Sequence, residues 1–221
     1  MRNSRAIVAF LLALSLFVPS TADARRKRRS SSTPSAHTFD YYVLAMSWAP
    51  NFCATRGTKG NFRECGIGRR VGFVIHGLWP QGESGRLPRD CRDTPPLARD
   101  VVDRALEHFP NPGLVQHEWE CHGHQSGLPA GEYFDAANRA FNSIAIPERF
   151  RAMSQPIRDE GDDIAREFAE ANHAPAGSFA ASCAKGSLVA VQACFTKDWK
   201  LRPCGAGVRS CSTELLVRAP R

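Results

Sequence analysis

The sequence of 221 residues predicts an α+β domain, in which helices pack on a central, mainly antiparallel sheet and disulfides staple the loops. Three observations support this fold class. Runs of aromatic and β-branched residues, typical of strands, occur near the beginning and the end of the chain. Segments with helical spacing of apolar residues lie between them, which favours α+β over an alternating parallel fold. Eight cysteines are spread along the same region.

The first 24 residues have the composition of a secretory signal peptide. Arg2 and Arg5 precede the apolar run 6–18, and the small residues Ala22 and Ala24 form a cleavage motif. The apolar run is short for a bilayer span, so a membrane anchor is the weaker alternative. We expect cleavage after Ala24 and a secreted or periplasmic protein that is not membrane-bound in its mature form.

Residues 25–36 form a basic tail rich in Ser and Pro, which we expect to be disordered. It carries five positive charges, whereas residues 37–221 hold 22 basic and 21 acidic residues and are almost neutral. The tail is either a spacer or a segment that holds the protein near nucleic acid or another anionic surface. Without an internal repeat or a second linker, residues 37–221 are predicted to form a single domain.

The predicted elements follow in chain order. Two early strands are expected, one at Phe39–Trp48 that ends before Pro50 and one at Val71–His76 that ends at Gly77. A disulfide-stapled loop at 53–70 lies between them, and a Gly/Pro-rich loop at 80–96 follows the second strand. Apolar spacing predicts helices at Leu97–Phe109, Leu114–His122, Tyr133–Ile144 and Pro156–Ala171, the second of them stopped by Gly123. Late strands are expected at Leu188–Phe195 and Glu214–Val217.

The eight cysteines all lie after the predicted cleavage point. An even number in an exported chain indicates four disulfides. Spacing alone does not choose among the possible pairings of Cys53, Cys65, Cys91, Cys121, Cys183, Cys194, Cys204 and Cys211.

The segment LVQHEWECHGH, residues 114–124, concentrates imidazoles and a carboxylate. On a helix, residues four apart share a face, so Glu118 is predicted to lie beside His122, and His117 beside Cys121. A carboxylate next to an imidazole favours its protonated form and fixes its orientation. Taken alone, the segment fits an ordinary surface pair as well as a proton-transfer unit.

The segment VGFVIHGLWP, residues 71–80, favours the second interpretation. It places His76 at a predicted strand end, beside a glycine turn and the indole of Trp79. Two imidazoles in one cleft can remove and return a proton near neutral pH. An aromatic ring beside them can stack on a base.

These segments resemble the two active-site segments of the ribonuclease T2 family. FVIHGLWP matches the first closely, and HEWECHG resembles the second, usually HEW-x-K-H-G-T-C. SWAPNFC and VQACFTKDWKLRPC are also similar to that family, and the resemblance covers roughly residues 38–217. It implies an endoribonuclease that acts on RNA as a monomer without a metal or another cofactor.

The resemblance implies a role for each matching residue. His76 would protonate the departing 5′-oxygen, His122 would take the proton of the 2′-hydroxyl, and His117 would hold the phosphate. Glu118 would orient His122 or stabilise the transition state, and Trp79 would stack a base. The expected products are 2′,3′-cyclic phosphates, which can be hydrolysed to 3′-phosphates.

The chain departs from the family pattern at three positions. Cys121 stands where relatives have a lysine thought to stabilise the phosphorane, and Gln125 stands where they have a cysteine. We expect His124 or an arginine to substitute for the lysine at the substrate, or activity to fall by about 10²–10³-fold. Gln81 replaces an acidic residue that reads the base, so the base preference stays open.

The resemblance also implies the disulfide pairing. The family's bridge to the second segment would be kept, with its cysteine moved one helical turn back, from position 125 to Cys121. The implied pairs are Cys53–Cys65, Cys91–Cys121, Cys183–Cys211 and Cys194–Cys204.

Two alternatives stay open at this point. The crowding of His117, Cys121, His122 and His124 could form a zinc site, but H-E-x-x-x-H is not the metalloprotease spacing. Alternatively, the fold binds RNA and has lost much of its catalysis.

Overall fold

A computed structural model describes residues 39–55, 62–66, 68–85 and 91–221. All of them lie in one compact unit, Ala36–Arg221. The predicted signal peptide, residues 1–24, and the predicted basic tail, residues 25–36, lie outside the described residues. Within the described part, no helix is both long enough and apolar enough to cross a bilayer.

The architecture is α+β, as predicted. Its described strands are β1 (Tyr41–Trp48), β2 (Phe73–Gln81), β3 (Ile157–Glu160), β4 (Phe179–Ala184), β5 (Ser187–Phe195) and β6 (Glu214–Val217). Its described helices are α1 (Ala49–Thr55), α2 (Arg99–Ala105), α3 (Pro112–Cys121), α4 (Ala130–Asn142), α5 (Glu148–Arg151) and α6 (Gly161–Ala171), with 3₁₀ turns at Arg63–Cys65 and Gly123–Ser126.

The six strands form one sheet in the order β2-β1-β5-β6-β3, with β4 paired to β5. All pairings are antiparallel except the contact of β5 with β6. Strand β1 is central and buried on both sides, which explains its almost continuous apolar sequence. One side, with Leu44, Met46 and Trp48, joins the large helix-covered core, and the other side, with Tyr41 and Val43, forms a small second cluster.

Helix α3 carries the second histidine segment, and its start is well specified. Asn111 accepts a hydrogen bond from the Leu114 N–H at 2.8 Å, and Pro112 occupies the first turn, where a missing N–H costs nothing. The helix ends at Cys121 with His122 as its cap, next to the predicted stop at Gly123, although Gly123 does not take the left-handed conformation of a glycine cap. A 3₁₀ turn follows the helix, and the left-handed residue that ends this turn is Gly127.

Tertiary pairing changes several other predicted elements. Residues 157–160, predicted as helix, form β3 because they pair with β6. Helix α2 ends at Ala105 rather than Phe109, since the chain turns there and the carbonyl of His108 accepts a hydrogen bond from Ile75 of β2. Helix α1 and strand β4 were not predicted from the sequence.

The structure contains the four disulfides Cys53–Cys65, Cys91–Cys121, Cys183–Cys211 and Cys194–Cys204. This is the pairing that the family resemblance implies. Cys91–Cys121 attaches the segment before α2 to α3, where Arg92 N–H also bonds the carbonyl of Glu120 and Leu97 N–H bonds the side chain of Gln116. The bridge therefore fixes the helix that bears His117 and Glu118.

Candidate active site

His76 lies in a β-bulge of strand β2. Ala45 of β1 pairs with Gly77, and Met46 pairs with Ile75, so His76 has no partner opposite it. An extra residue of this kind redirects its side chain away from the regular alternation of the strand. The prediction that β2 ends at His76 is wrong, because the strand continues to Gln81.

The His76 ring is held from two sides and remains 46% exposed. Its Nδ1 lies 3.2 Å from the hydroxyl oxygen of Ser47, and its Nε2 lies 3.7 Å from Oε1 of Glu118. Ser47 was not predicted as a site residue, since its alignment with His76 depends on the bulge in the β1–β2 register. With Nδ1 held by Ser47, Nε2 is the nitrogen available for proton transfer.

Glu118 is a buried carboxylate, only 1% exposed. Its Oε2 accepts a hydrogen bond of 2.8 Å from the indole N–H of Trp79. Gly77 permits this contact, because a Cβ at this position would overlap both Glu118 Oε2 and Trp79 Nε1. A buried carboxylate needs such partners, and the indole of Trp79 and the imidazole of His76 are two that the site provides.

His122 is the first residue after α3. Its backbone (φ −136°, ψ −46°) departs from helical values, but its N–H still donates to the carbonyl of Glu118 at 3.0 Å, in keeping with the four-residue spacing. The pairing of the Glu118 and His122 side chains stays a prediction. Glu118 also meets His76 and Trp79 of strand β2, two neighbours that helical spacing does not reveal.

The indole of Trp79 links the two predicted proton carriers. Its centroid lies 5.7 Å from the ring of His76, which it meets edge-on, and 5.5 Å from the ring of His122. The two imidazoles, distant in sequence, therefore flank the same side chain. Trp79, predicted as a base-stacking surface, also serves as the scaffold between them.

His117 lies on the exposed surface of α3, and its Nδ1 is 3.7 Å from the sulfur of Cys121. Protein groups around the half-exposed His76 ring remove part of its hydration and lower its pKa below the usual value of 6.5, and the charge of His117 lowers this pKa further. Two imidazoles that repel each other when protonated form a favourable site for an anion, because a phosphate relieves their repulsion.

The three other predicted substrate-binding residues lie in more enclosed positions. Cys121, at the position of the family's lysine, is 1% exposed and bonded to Cys91, so its role is structural. Gln81 is 7% exposed, and its Oε1 has no hydrogen-bond partner among the described residues. The half-buried ring of His124 has its Nδ1 3.4 Å from the carbonyl of Trp119, at the end of α3.

The zinc alternative loses one of its expected ligands. The Cys121 sulfur is engaged in a disulfide and is not a thiolate. Among the described ranges, no group of three or more His, Cys, Asp or Glu side chains is arranged to hold a metal ion.

Comparisons with known proteins place this site in a family context. The model of the Ribonuclease T2 family matches residues 39–204. A "Probable ribonuclease" of Haemophilus influenzae is 36% identical over 122 residues, covering 50% of this chain and 45% of that protein. A "Ribonuclease" of Aeromonas hydrophila is 38% identical over 133 residues, covering 56% and 57%. The chain thus spans about half the length of the curated relatives it matches.

Solved structures show the same fold at low sequence identity. An RNase-related protein from Calystegia sepium superposes with a TM-score of 0.66 at 19% identity, covering 83% of this chain and 98% of that one. Trichomaglin, described as an S-like ribonuclease, gives a TM-score of 0.66 at 21% identity, covering 83% and 100%. With the family model matched across both histidine segments, this chain belongs to the Ribonuclease T2 family.

Proposed function

We propose that the protein is an exported endoribonuclease that cleaves single-stranded RNA by metal-free acid–base transesterification. The observation that carries the proposal is the convergence of His76 and His122 on the ring of Trp79, whose indole N–H also donates to the Glu118 carboxylate. Family membership and the ribonuclease names of the relatives support the same activity.

In the proposed first step, neutral His122 removes the proton from the 2′-hydroxyl. The 2′-oxygen attacks the adjacent phosphorus, and the bond to the 5′-oxygen breaks. Protonated His76 gives its Nε2 proton to this oxygen, while its Nδ1–H donates to Ser47. The products are a 2′,3′-cyclic phosphate and a free 5′-hydroxyl. DNA lacks the internal nucleophile and is therefore not a substrate.

In the second step, the histidines exchange roles. His76, now neutral, takes a proton from water, which opens the cyclic phosphate. His122 returns its proton to the 2′-oxygen, so both residues regain their starting states and the end is a 3′-phosphate.

His117 and Glu118 supply the charge balance in this proposal. Protonated His117 binds the phosphate, and buried Glu118, with Oε1 3.7 Å from Nε2 of His76, orients that ring. Since Cys121 provides no cation, we expect a rate below that of relatives with the usual lysine.

The test is end-group analysis of digested RNA. We expect 5′-hydroxyl ends together with 2′,3′-cyclic phosphates that convert to 3′-phosphates, at the same rate with and without EDTA. Binding of RNA without new ends would support the non-catalytic alternative. Activity lost in EDTA and restored by zinc would support the zinc-dependent hydrolase instead.

The pH profile provides a second prediction. Because the pKa of His76 lies below 6.5, the protonated acid is lost as the pH rises through that value, and kcat/KM should decline on the alkaline side already below pH 6.5. His117→Ala removes a repulsive charge, so the pKa of His76 should rise and this decline should move to higher pH.

The position of the alkaline limb, rather than the height of the profile, is the informative quantity. His173→Ala, in the exposed loop after α6, is the matched control and should leave the limb in place. An unchanged limb in His117→Ala, or a shift to lower pH, would contradict the assignment of His76 as the acid.

The proposed location of the protein is outside the cytosol. Four disulfides favour an oxidising compartment outside the cytosol, consistent with the expected signal peptide. We propose secretion or the periplasm as the destination, RNA as the only required partner, and a monomer as the active form.

A further inference from the structure

The hairpin turn after β5 presents an exposed tryptophan in an unusual backbone conformation. Thr196 closes the turn, with its N–H bonded to the carbonyl of Lys200 at 2.9 Å, and Trp199 N–H bonds the carbonyl of Thr196 at 3.1 Å. Trp199 has φ 64°, in the left-handed region. Glycine or asparagine is usual at such a turn position, and a bulky side chain there is strained.

The side chain of Trp199 is ordered by stacking rather than by burial. Its ring lies parallel to that of Tyr42, with centroids 5.0 Å apart and an interplanar angle of 11°. Tyr42 is buried, whereas Trp199 remains 37% exposed. One face of the indole is thus covered by Tyr42, and the outer part of the ring is open to solvent.

The turn also carries basic side chains. Lys197 and Lys200 are both exposed, and Lys197 lies over the ring of Phe39, with Nζ 4.3 Å from the centroid. Asp198 is the one acidic residue among positions 196–200, and hydrogen bonds from Thr196 and Lys200 hold its pKa below the usual range. The turn therefore has a net positive charge beside an exposed aromatic ring.

Strained backbone at an exposed aromatic residue suggests a function that maintains it. Lys200 is paired with Asp198 at 3.0 Å and Lys197 rests on Phe39, but both are exposed to solvent. Exposed lysines beside an open aromatic face are the arrangement that binds single-stranded nucleic acids, through base stacking and phosphate contacts.

Tyr42 pairs with Pro80, the residue after Trp79, so the turn lies at the end of the sheet where β2 ends. Tyr42 belongs to the helix-covered core, whereas Trp79 pairs with Val43 and packs on the smaller cluster, so an RNA strand that contacts both Trp79 and Trp199 has to pass round the end of β2.

We propose that Trp199, supported by Tyr42 and flanked by Lys197 and Lys200, is a base-stacking subsite for the RNA strand outside the cleavage site. The inference rests on the proposed ribonuclease function and deepens it. The ligand class is a single-stranded polynucleotide longer than a dinucleotide, bound without base specificity because every base offers a stacking face. Because the turn and His76 lie on opposite faces of the sheet, we expect this subsite to act on strands longer than a dinucleoside phosphate.

The test compares a dinucleoside phosphate with an oligouridylate of a dozen nucleotides. Trp199→Ala should raise KM for the oligonucleotide about fivefold to tenfold, the effect expected for removal of one stacked base. Cleavage of the dinucleoside phosphate should stay unchanged. Trp199→Phe should restore most of the affinity, and Val189→Ala, at the other large exposed apolar residue of the described chain, is the matched control.

Binding of single-stranded oligodeoxythymidylate gives a readout independent of cleavage. Trp199→Gly should weaken it while leaving thermal stability unchanged or higher, because glycine accepts the left-handed conformation. Replacing Lys197 and Lys200 by Ala should reduce the salt slope of binding by about 0.7 for each of these lysines that binds a phosphate. Parental affinity in both Trp199→Ala and Trp199→Gly would overturn the inference. A protein that cleaves no RNA but binds the oligonucleotide more weakly on Trp199→Ala would overturn the proposed function alone.

Discussion

His76→Ala and His122→Ala are each expected to reduce kcat/KM on RNA by about 10²–10⁴-fold, the usual contribution of a general acid or base. The proposed roles are distinguishable with a substrate whose leaving group needs no proton, such as a nucleoside 3′-phosphate ester of p-nitrophenol. His76→Ala should recover most of its activity on this ester, whereas His122→Ala should stay impaired, because the 2′-hydroxyl still needs a base.

His173→Ala serves as the histidine control, and thermal unfolding checks that each variant keeps its fold. The double variant of His76 and His122 should be only slightly slower than either single variant, since the two act in one step. Equal recovery of both single variants on the activated ester would contradict the assignment of His76 as the acid and His122 as the base. An undiminished rate for His122→Ala on RNA would remove it from the reaction.

Of the variants described here, the one that lacks the Cys91–Cys121 disulfide is expected to lose the most free energy of unfolding. The bridge spans 30 residues, and the entropy of closing such a loop corresponds to about 3–4 kcal/mol. Cys91→Ser with Cys121→Ser should lower the free energy of unfolding in urea by about this amount. The Cys194–Cys204 bridge spans 10 residues and should give a smaller decrease when removed in the same way.

The same bridge determines how the missing lysine can be tested. Cys121→Lys alone would leave Cys91 unpaired, so the change in activity would be mixed with a decrease in stability. The informative comparison is Cys91→Ser with Cys121→Lys against Cys91→Ser with Cys121→Ser. A lysine that restores transition-state stabilisation should raise kcat by about 10²–10³-fold. Equal rates would indicate that another cation already serves the phosphate.

Much of this architecture could be predicted because the signals are local. Strand β6 coincides with its predicted range, and β5 differs by one residue, since both are short apolar runs with clear ends. The segment FAASCA of β4 lacks the branched residues that indicate a strand, and its position comes from pairing with β5. Strand β3 was missed for the same reason, because its partner β6 lies far along the chain.

In the candidate site, too, the local features could be predicted from the sequence and the features that depend on tertiary packing could not. The two histidine segments were visible as motifs, and the resemblance to one family linked them. The bulge at His76, the contact with Ser47 and the orientation of Glu118 toward β2 depend on the register of β1 against β2 and on the docking of α3. Spacing along a single helix predicted His122 as a neighbour of Glu118, but it could not reveal the contacts with Trp79 and His76, which come from the sheet.

The close approach around Gly77 has a consequence for how this site can change over time. The positions of Gly77, Trp79 and Glu118 are coupled, because the glycine leaves room for a carboxylate that the indole N–H neutralises in part. A side chain at 77 would displace the acid, loss of the indole at 79 would remove one hydrogen-bond donor from the buried carboxylate, and loss of the acid would remove the acceptor of the indole N–H. Substitutions at these three positions should therefore be tolerated only in combination, whereas the surrounding surface can vary independently.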